Sequence, residues 1–198
     1  NAGNYGLSVN SFALGEAGLT WASIYFVTSS LLTNSAGVYV ATVGRTSPKK
    51  ALLGLLKIPS LYAIPLALLV RVSGVSLPIT LWRPIDLLGS AAVPSMLILL
   101  GMQIARAGVP RRGRLLIATA GLRLLISPLI AWVLTSFMGM SGVISQAGIL
   151  ESAMPTAVMT IVLATEFDVE PEFVTGVVLT TTLISPFTVT PILAMLGV

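Results

Sequence analysis

The chain has 198 residues, of which 55% are apolar and 9% charged, and its formal net charge is +4. Soluble domains carry about 25% charged residues and disordered chains combine low hydrophobicity with high charge, so the composition excludes both classes. A mean hydropathy of +0.96 indicates instead a protein whose solvent is the lipid bilayer.

Six apolar runs long enough to cross a bilayer follow one short run. A spanning helix needs about 20 residues, and the runs lack the alternation of barrel strands, so we predict an all-α membrane protein. The first residues do not resemble a signal peptide, and we interpret the chain as a fragment of a longer protein. The short run covers 7–14, and the predicted spans cover 18–43, 51–72, 84–106, 115–138, 141–165 and 172–197.

Basic residues indicate the topology of these spans. They concentrate in the joints at 44–50 and 106–114, which two spans separate, so both joints lie on one side. Loops rich in Lys and Arg stay in the cytoplasm, and the acidic joint at 166–172 returns to that side. We expect an integral membrane protein with lipid as a partner. Basic residues scattered between apolar runs do not indicate a nucleic-acid partner.

Two charged residues lie near the middle of adjacent spans, Arg123 in the span at 115–138 and Glu151 in the span at 141–165. An unpaired charge at that depth costs about 3 kcal/mol, so the pattern favours an ion pair. One interpretation is a structural salt bridge without a role in transport. In the other, Arg123 is a counter-charge for a substrate and Glu151 is a protonatable coupling group.

Pro155 lies within the span at 141–165. Proline removes a backbone donor and clashes with the preceding turn, so it either kinks a helix or interrupts it. An interrupted helix would present the free N–H groups of Thr156 and Ala157 at a positive dipole end, which is an anion site. Discontinuous helices at mid-membrane are binding elements of secondary transporters, and we therefore predict a substrate site here.

The opening segment has the composition of a second interruption. Asn1 and Asn4, each near a glycine, suit unwound backbone because Asn and Gly tolerate left-handed conformations. Two interrupted helices in one chain indicate two halves of an inverted repeat. We therefore assign residues 1–45 to the end of one repeat and residues 46–198 to a complete five-helix repeat.

Three stretches resemble motifs of the auxin efflux carrier family, which contains the plant PIN-formed auxin transporters and many bacterial permeases. The stretch NAGNYGLS at 1–8 resembles the family's Asn-x-Gly-Asn-x-Gly-Leu-Pro crossover in the fourth helix. Residues 93–105 resemble its seventh helix, and residues 151–156 together with 164–171 resemble its ninth helix and the loop after it. The similarity covers essentially the whole chain, and the combination of motifs is specific.

The resemblance implies the C-terminal part of a ten-helix carrier with two inverted five-helix repeats. Residues 1–45 would hold the second half of broken helix 4 and helix 5, and residues 46–198 would hold helices 6–10, with helix 9 broken at Pro155. The broken crossover helices bind an organic anion, and the carrier moves by an elevator-type motion. By position, Asn1 matches an asparagine that contacts a substrate carboxylate.

The resemblance also singles out other positions. Pro155 matches the crossover proline of the ninth helix, and Glu151 stands where plant members carry glutamine. Ser8 departs from the family's proline, so we expect the first crossover to be less sharply broken. Gln103, in the seventh-helix motif, is an additional polar candidate for the site. The missing N-terminal helices of the same protein are expected partners, and a homodimer is a further expectation. The resemblance to bacterial members of the family implies a location in the bacterial inner (plasma) membrane.

These features predict a secondary transporter for a small organic anion, such as an auxin-like or dicarboxylate substrate. The alternatives are a sodium-coupled organic anion symporter with the bile acid symporter architecture and a non-transporting membrane sensor. Cysteine and histidine are absent, which excludes thiolate and imidazole chemistry, so we predict neither an enzyme nor a metal site. No cofactor is expected beyond H⁺ or Na⁺ as a coupling ion. The predicted substrate-binding residues are Asn1, Asn4, Pro155, Thr156 and Ala157.

Overall fold

The structure is a computed structural model that describes residues 1–37, 59–106 and 112–198. In these ranges the chain is helical and contains no strand. The helices are α1 (Ser8–Leu32), α2 (Pro59–Ser73), α3 (Ile79–Arg106), α4 (Gly113–Gly121), α5 (Ser127–Phe137), α6 (Val143–Ala153), α7 (Met159–Glu166) and α8 (Pro171–Leu196). Three π-helical segments adjoin them: Ala2–Leu7 before α1, Thr33–Gly37 after it, and Leu122–Ile126 between α4 and α5.

The helices overlap the predicted spans in the parts of the chain that are described. α4 and α5 form one continuous helix, Gly113–Phe137, and both this helix and α8 are long and apolar enough to cross a membrane. Large apolar side chains such as Phe137 and Phe187 are exposed, which suits surfaces that face lipid. The all-helical structure of the described residues agrees with the prediction of an all-α protein and is compatible with a membrane location. The basic joint at 44–50 and the repeat boundary within it lie outside the described residues.

The opening segment is wound rather than unwound. The carbonyl of Asn1 accepts the N–H groups of Tyr5 at 3.2 Å and Gly6 at 3.0 Å, and these bonds begin the π-helical turn Ala2–Leu7. The prediction of unwound backbone here is therefore wrong. Single π-helical turns are rare and concentrate at functional sites.

α1 doubles back at Gly15. This glycine has φ 64° and ψ −154°, a combination that is essentially restricted to glycine. Gly3 lies against the ring of Phe26, because a methyl group on Gly3 would be 2.8 Å from Phe26 Cε2. A straight helix would separate those two residues by about 35 Å. Residues 1–14 are therefore a separate helical piece, as the short apolar run at 7–14 indicated.

The chain divides into two compact units, Asn1–Phe26 with Met96–Val198, and Val27–Ser95. In the first unit α8 packs against α4, α6 and α7, while α6 packs against α5 and the π-helical turn at Ala2–Leu7. Tyr5 and Val9 of the opening segment pack onto a buried core formed by α6, Met154 and α8. That core consists of Leu150, Ala153, Met154 and Val189.

An ion pair joins two loops at the same end of the first unit. Arg112 Nη1 lies 3.3 Å from Glu170 Oε2, and these residues immediately precede α4 and α8. The contact places the joints at 106–114 and 166–172 on one side, in agreement with the predicted topology. Residues 107–111 of the first joint lie outside the described part of the chain.

The second unit contains α2 and the first part of α3. Gly74 turns the chain between them with φ 65°, and Pro84 and Pro94 lie inside α3. Arg83 and Asp86 are exposed. All of the predicted site residues belong to the first unit.

Candidate functional site

Residues 154–158 interrupt the path from α6 to α7. α6 ends at Ala153, and Met154 is extended with φ −66° and ψ 148°, as expected for a residue before proline. Pro155 is fully buried; it has no N–H with which to continue the helix, and its ring clashes with a helical preceding turn. The carbonyl end of one helix and the N–H end of the next are thus only a few residues apart.

The opening segment meets this interruption. The backbone nitrogen of Asn1 donates to the carbonyl of Pro155 in a buried contact. The Asn1 residue is 8% exposed, and its Nδ2 has no hydrogen-bond partner in the described parts of the chain. A buried donor without an acceptor is costly, so this amide is available to a ligand that can accept a hydrogen bond.

Glu151 lies fully buried in the last turn of α6, beside Asn10 of α1. Asn10 Nδ2 donates to Glu151 Oε1 at 3.0 Å and to the carbonyl of Gly6 at 2.9 Å. Glu151 Oε2 and Asn10 Oδ1 have no partner among the described residues. Buried charges are normally fully hydrogen-bonded or paired, and this carboxyl group has a partner on only one of its oxygens.

Gly6 allows the Glu151 carboxyl group to touch the π-helical turn. A methyl group on Gly6 would lie 2.6 Å from Glu151 Oε1 and 2.7 Å from its Cδ. Atoms cannot approach that closely without displacement. The glycine is therefore required for the carboxyl group to occupy its observed position.

Arg123 lies in the π-helical segment between α4 and α5, where its Nη1 donates to Ser127 Oγ at 2.9 Å. Each mid-span charge is thus hydrogen-bonded to a neutral side chain, Glu151 to Asn10 and Arg123 to Ser127. The direct ion pair expected between Arg123 and Glu151 does not form between these two described residues.

The backbone donors of the interruption differ by one residue from those predicted. The Thr156 N–H donates to Thr181 Oγ1 at 3.1 Å, so it is not free. The N–H groups of Ala157 and Val158 have no acceptor in the part of the chain that is described. They precede α7, whose N-terminal end carries a partial positive charge. The available donors are therefore those of Ala157 and Val158.

The two remaining predicted residues lie in the same unit. Asn4 is half-buried in the π-helical turn, and its carbonyl accepts the Ser8 hydroxyl at 3.1 Å. Gln103 lies in α3. The structure thus brings together Asn1, Pro155 and the residues that follow it, with Glu151 one turn before.

Sequence reasoning missed Asn10 and Thr181. Asn10 is an amide at the centre of the apolar run at 7–14, and a buried amide in such a run must find a partner elsewhere; that signal could have identified it. Thr181 stands among three consecutive threonines in the last span, and no local pattern distinguishes it from its neighbours. A further contact, Tyr25 Oη to Ser152 Oγ at 3.1 Å, also ties α1 to α6.

Comparison with known proteins gives a family match and two similar relatives. Residues 18–193 match the family described as membrane transport protein. The chain is 27% identical over 185 residues to an uncharacterized transporter of Methanothermobacter thermautotrophicus, covering 93% of this chain and 61% of the relative. It is 26% identical over 189 residues to an uncharacterized transporter of Methanocaldococcus jannaschii, with the same coverage. The chain therefore spans about three fifths of the length of these curated relatives. No solved structure gives a significant match.

Proposed function

The chain belongs to the membrane transport protein family, the auxin efflux carrier family that its motifs indicate, and we propose that it forms the substrate crossover of a secondary transporter for a small organic anion. As a member of this family it is part of an integral membrane transporter and not an enzyme. Because it spans about three fifths of its relatives, transport is proposed for a whole protein of their length.

The observation that carries the proposal is a set of unpaired hydrogen-bond donors at the interruption. Among residues 1–37, 59–106 and 112–198, the buried Asn1 Nδ2 has no hydrogen-bond partner, and the N–H groups of Ala157 and Val158 at the start of α7 have no acceptor. Backbone donors at the positive end of a helix are suited to an anion. A carboxylate, which can accept several N–H bonds, meets this requirement.

The meeting of two chain segments at the interruption supports a transport mechanism. We assign the opening segment and the α6–α7 interruption to the two broken crossover helices of a ten-helix carrier with two inverted five-helix repeats. Residues 1–45 then end the first repeat, and residues 46–198 form the second. The crossover moves with its bound anion in an elevator-type alternating-access cycle, and Arg123 supplies a counter-charge close to it.

The expected substrate is an auxin-like monocarboxylate or a dicarboxylate. The test uses a protein of the relatives' full length that carries this chain, reconstituted in proteoliposomes with a panel of labelled carboxylates. We expect saturable uptake of one class, and Asn1→Ala should raise KM about tenfold, the effect of one lost hydrogen bond of typical strength.

Gln146→Ala is the matched control for Asn1→Ala. The Gln146 amide donates to the carbonyl of Leu196 at 2.9 Å, near the start of α6 and away from the interruption, so KM should stay within about twofold of the parent value. Folded protein that takes up no carboxylate contradicts the proposal. An equal rise of KM in both variants contradicts the role of Asn1.

Glu151 is the proposed coupling group, because it is fully buried and its Oε2 has no partner among the residues that the structure describes. A single proton would neutralise the carboxylate and remove the cost of the buried charge. Asn10 donates a hydrogen bond to the other oxygen, and Arg123 is the cation that we propose as its counter-charge. Anion movement would thereby be linked to proton movement.

A sodium-coupled symporter is the second candidate. It is favoured by the pair of unpartnered acceptor atoms, Glu151 Oε2 and Asn10 Oδ1, since oxygen atoms beside the carbonyl end of an interrupted helix can coordinate Na⁺. Proton and sodium gradients imposed separately on the proteoliposomes distinguish the two candidates. Acceleration by the proton gradient alone supports proton coupling, and acceleration by the sodium gradient alone supports the symporter.

Several expectations about the surroundings stay predictions. These are Gln103 and Asn4 as further contributors to the site, the remaining helices of the protein as partners, a homodimer, and placement in the bacterial inner membrane.

A further inference from the structure

Thr181 of α8 contacts the interruption through its hydroxyl group. The residue is fully buried, and its Oγ1 donates to the carbonyl of Val177 at 2.7 Å in its own helix. The same oxygen accepts the N–H of Thr156 at 3.1 Å. The hydroxyl therefore bridges α8 to the first residue after Pro155.

The interruption is held from two sides. On one side the backbone nitrogen of Asn1 donates to the Pro155 carbonyl, and on the other the Thr156 N–H donates to Thr181. Each peptide group is planar, and only two soft dihedral angles per residue set its orientation relative to the next group. Fixing residues 155 and 156 thus restricts the directions of the unpaired N–H groups of Ala157 and Val158.

We infer that Thr181 is a positioning residue for anion binding: its hydroxyl occupies the Thr156 N–H and thereby orients the free N–H groups of Ala157 and Val158. This inference rests on the proposed function, in which those two groups bind the substrate carboxylate. In the proposed arrangement, Thr181 does not contact the anion. Its effect passes through the backbone of the interruption.

Three substitutions separate positioning from packing. Thr181→Val keeps the branched shape and removes the hydroxyl, while Thr181→Ser keeps the hydroxyl and loses a methyl group. Thr175→Val is the matched control, because the Thr175 hydroxyl donates to the Pro171 carbonyl at 2.8 Å in the same helix and joins no second segment. If Thr181→Val does not accumulate in the membrane, Thr181→Ala replaces it.

Transport kinetics provide the first measurement. Thr181→Val should raise KM for the transported carboxylate about tenfold, which corresponds to one hydrogen bond of typical strength, with the maximal rate changed less than twofold. Thr181→Ser and Thr175→Val should stay within about twofold of the parent. An unchanged KM in Thr181→Val, or a loss in Thr181→Ser as large as in Thr181→Val, overturns the inference.

Hydrogen–deuterium exchange of the Thr156 amide tests the contact without any substrate. We expect exchange to accelerate about tenfold in Thr181→Val and to stay at the parent rate in Thr181→Ser and Thr175→Val. Unchanged exchange in Thr181→Val refutes the hydrogen bond and with it the inference. Accelerated exchange in a protein that transports no carboxylate instead retains the contact and refutes the proposed function, so the two failures are distinguishable.

Discussion

Replacing Asn10 with alanine removes the donor of two buried hydrogen bonds at once. Its Nδ2 lies 3.0 Å from Glu151 Oε1 and 2.9 Å from the Gly6 carbonyl, and both acceptors would be left inside the fold. A bond to a charged acceptor contributes about 1.5–3 kcal/mol and a neutral one about 0.5–1.5 kcal/mol. We therefore expect Asn10→Ala to lower the free energy of unfolding by about 2–4.5 kcal/mol.

A double-mutant cycle isolates the bond between the two side chains. Asn10→Ala, Glu151→Ala and the double variant are unfolded in mixed micelles of increasing SDS content, and the free energy of unfolding is compared with that of the parent. The coupling energy should be about 1–3 kcal/mol, larger when the carboxyl group is ionised. Asn10→Ala combined with Thr175→Val is the control and should be additive. Additivity within about 0.5 kcal/mol for Asn10 and Glu151 would refute the reasoning that this contact organises the crossover.

Three further substitutions test the backbone of the site. Pro155→Ala should reduce transport more than expression, because it permits α6 to continue through the interruption. Unchanged transport would contradict the proposed role of Pro155 in the crossover. Gly6→Ala should destabilise the protein by about 1–3 kcal/mol, since its methyl group overlaps the Glu151 carboxyl group. In thermal unfolding, the control Gly121→Ala, which has open space around it, should be neutral or stabilising by about 0.5 kcal/mol. Gly15→Ala should lower the free energy of unfolding by about 1–3 kcal/mol in the same assay, because alanine would be strained at φ 64°. An unchanged melting temperature would contradict the requirement for glycine at this turn.

The helical framework was accessible from the sequence because the bilayer imposes long apolar segments. The predicted spans at 115–138 and 172–197 correspond to Gly113–Phe137 and Pro171–Leu196. In the structure, the predicted span at 141–165 is interrupted at Pro155, a residue that cannot continue a helix. These features depend on local chemistry and on segment length, which a single sequence contains.

The contacts within the site depend on which distant segments meet, and no local pattern encodes that. Asn10 and Glu151 are 141 residues apart, so the sequence could not pair them. Mid-span depth suggested Arg123 as the partner of Glu151, but Arg123 bonds to Ser127, a neighbour four residues away on the same helix face. That competing partner was visible in the sequence. The use of the Thr156 N–H by Thr181 was not, because it requires knowing which face of α8 lies against the interruption.

Proton-coupled carboxylate transport through Glu151 is tested most directly by comparing the parent with Glu151→Gln in proteoliposomes under an imposed pH gradient. Glutamine keeps the size and one acceptor oxygen of Glu151 but cannot exchange a proton. We expect saturable carboxylate uptake by both proteins, with the gradient accelerating uptake by the parent alone. Equal acceleration of both proteins would contradict the coupling role of Glu151, and the absence of carboxylate uptake by either folded protein would contradict the anion carrier itself.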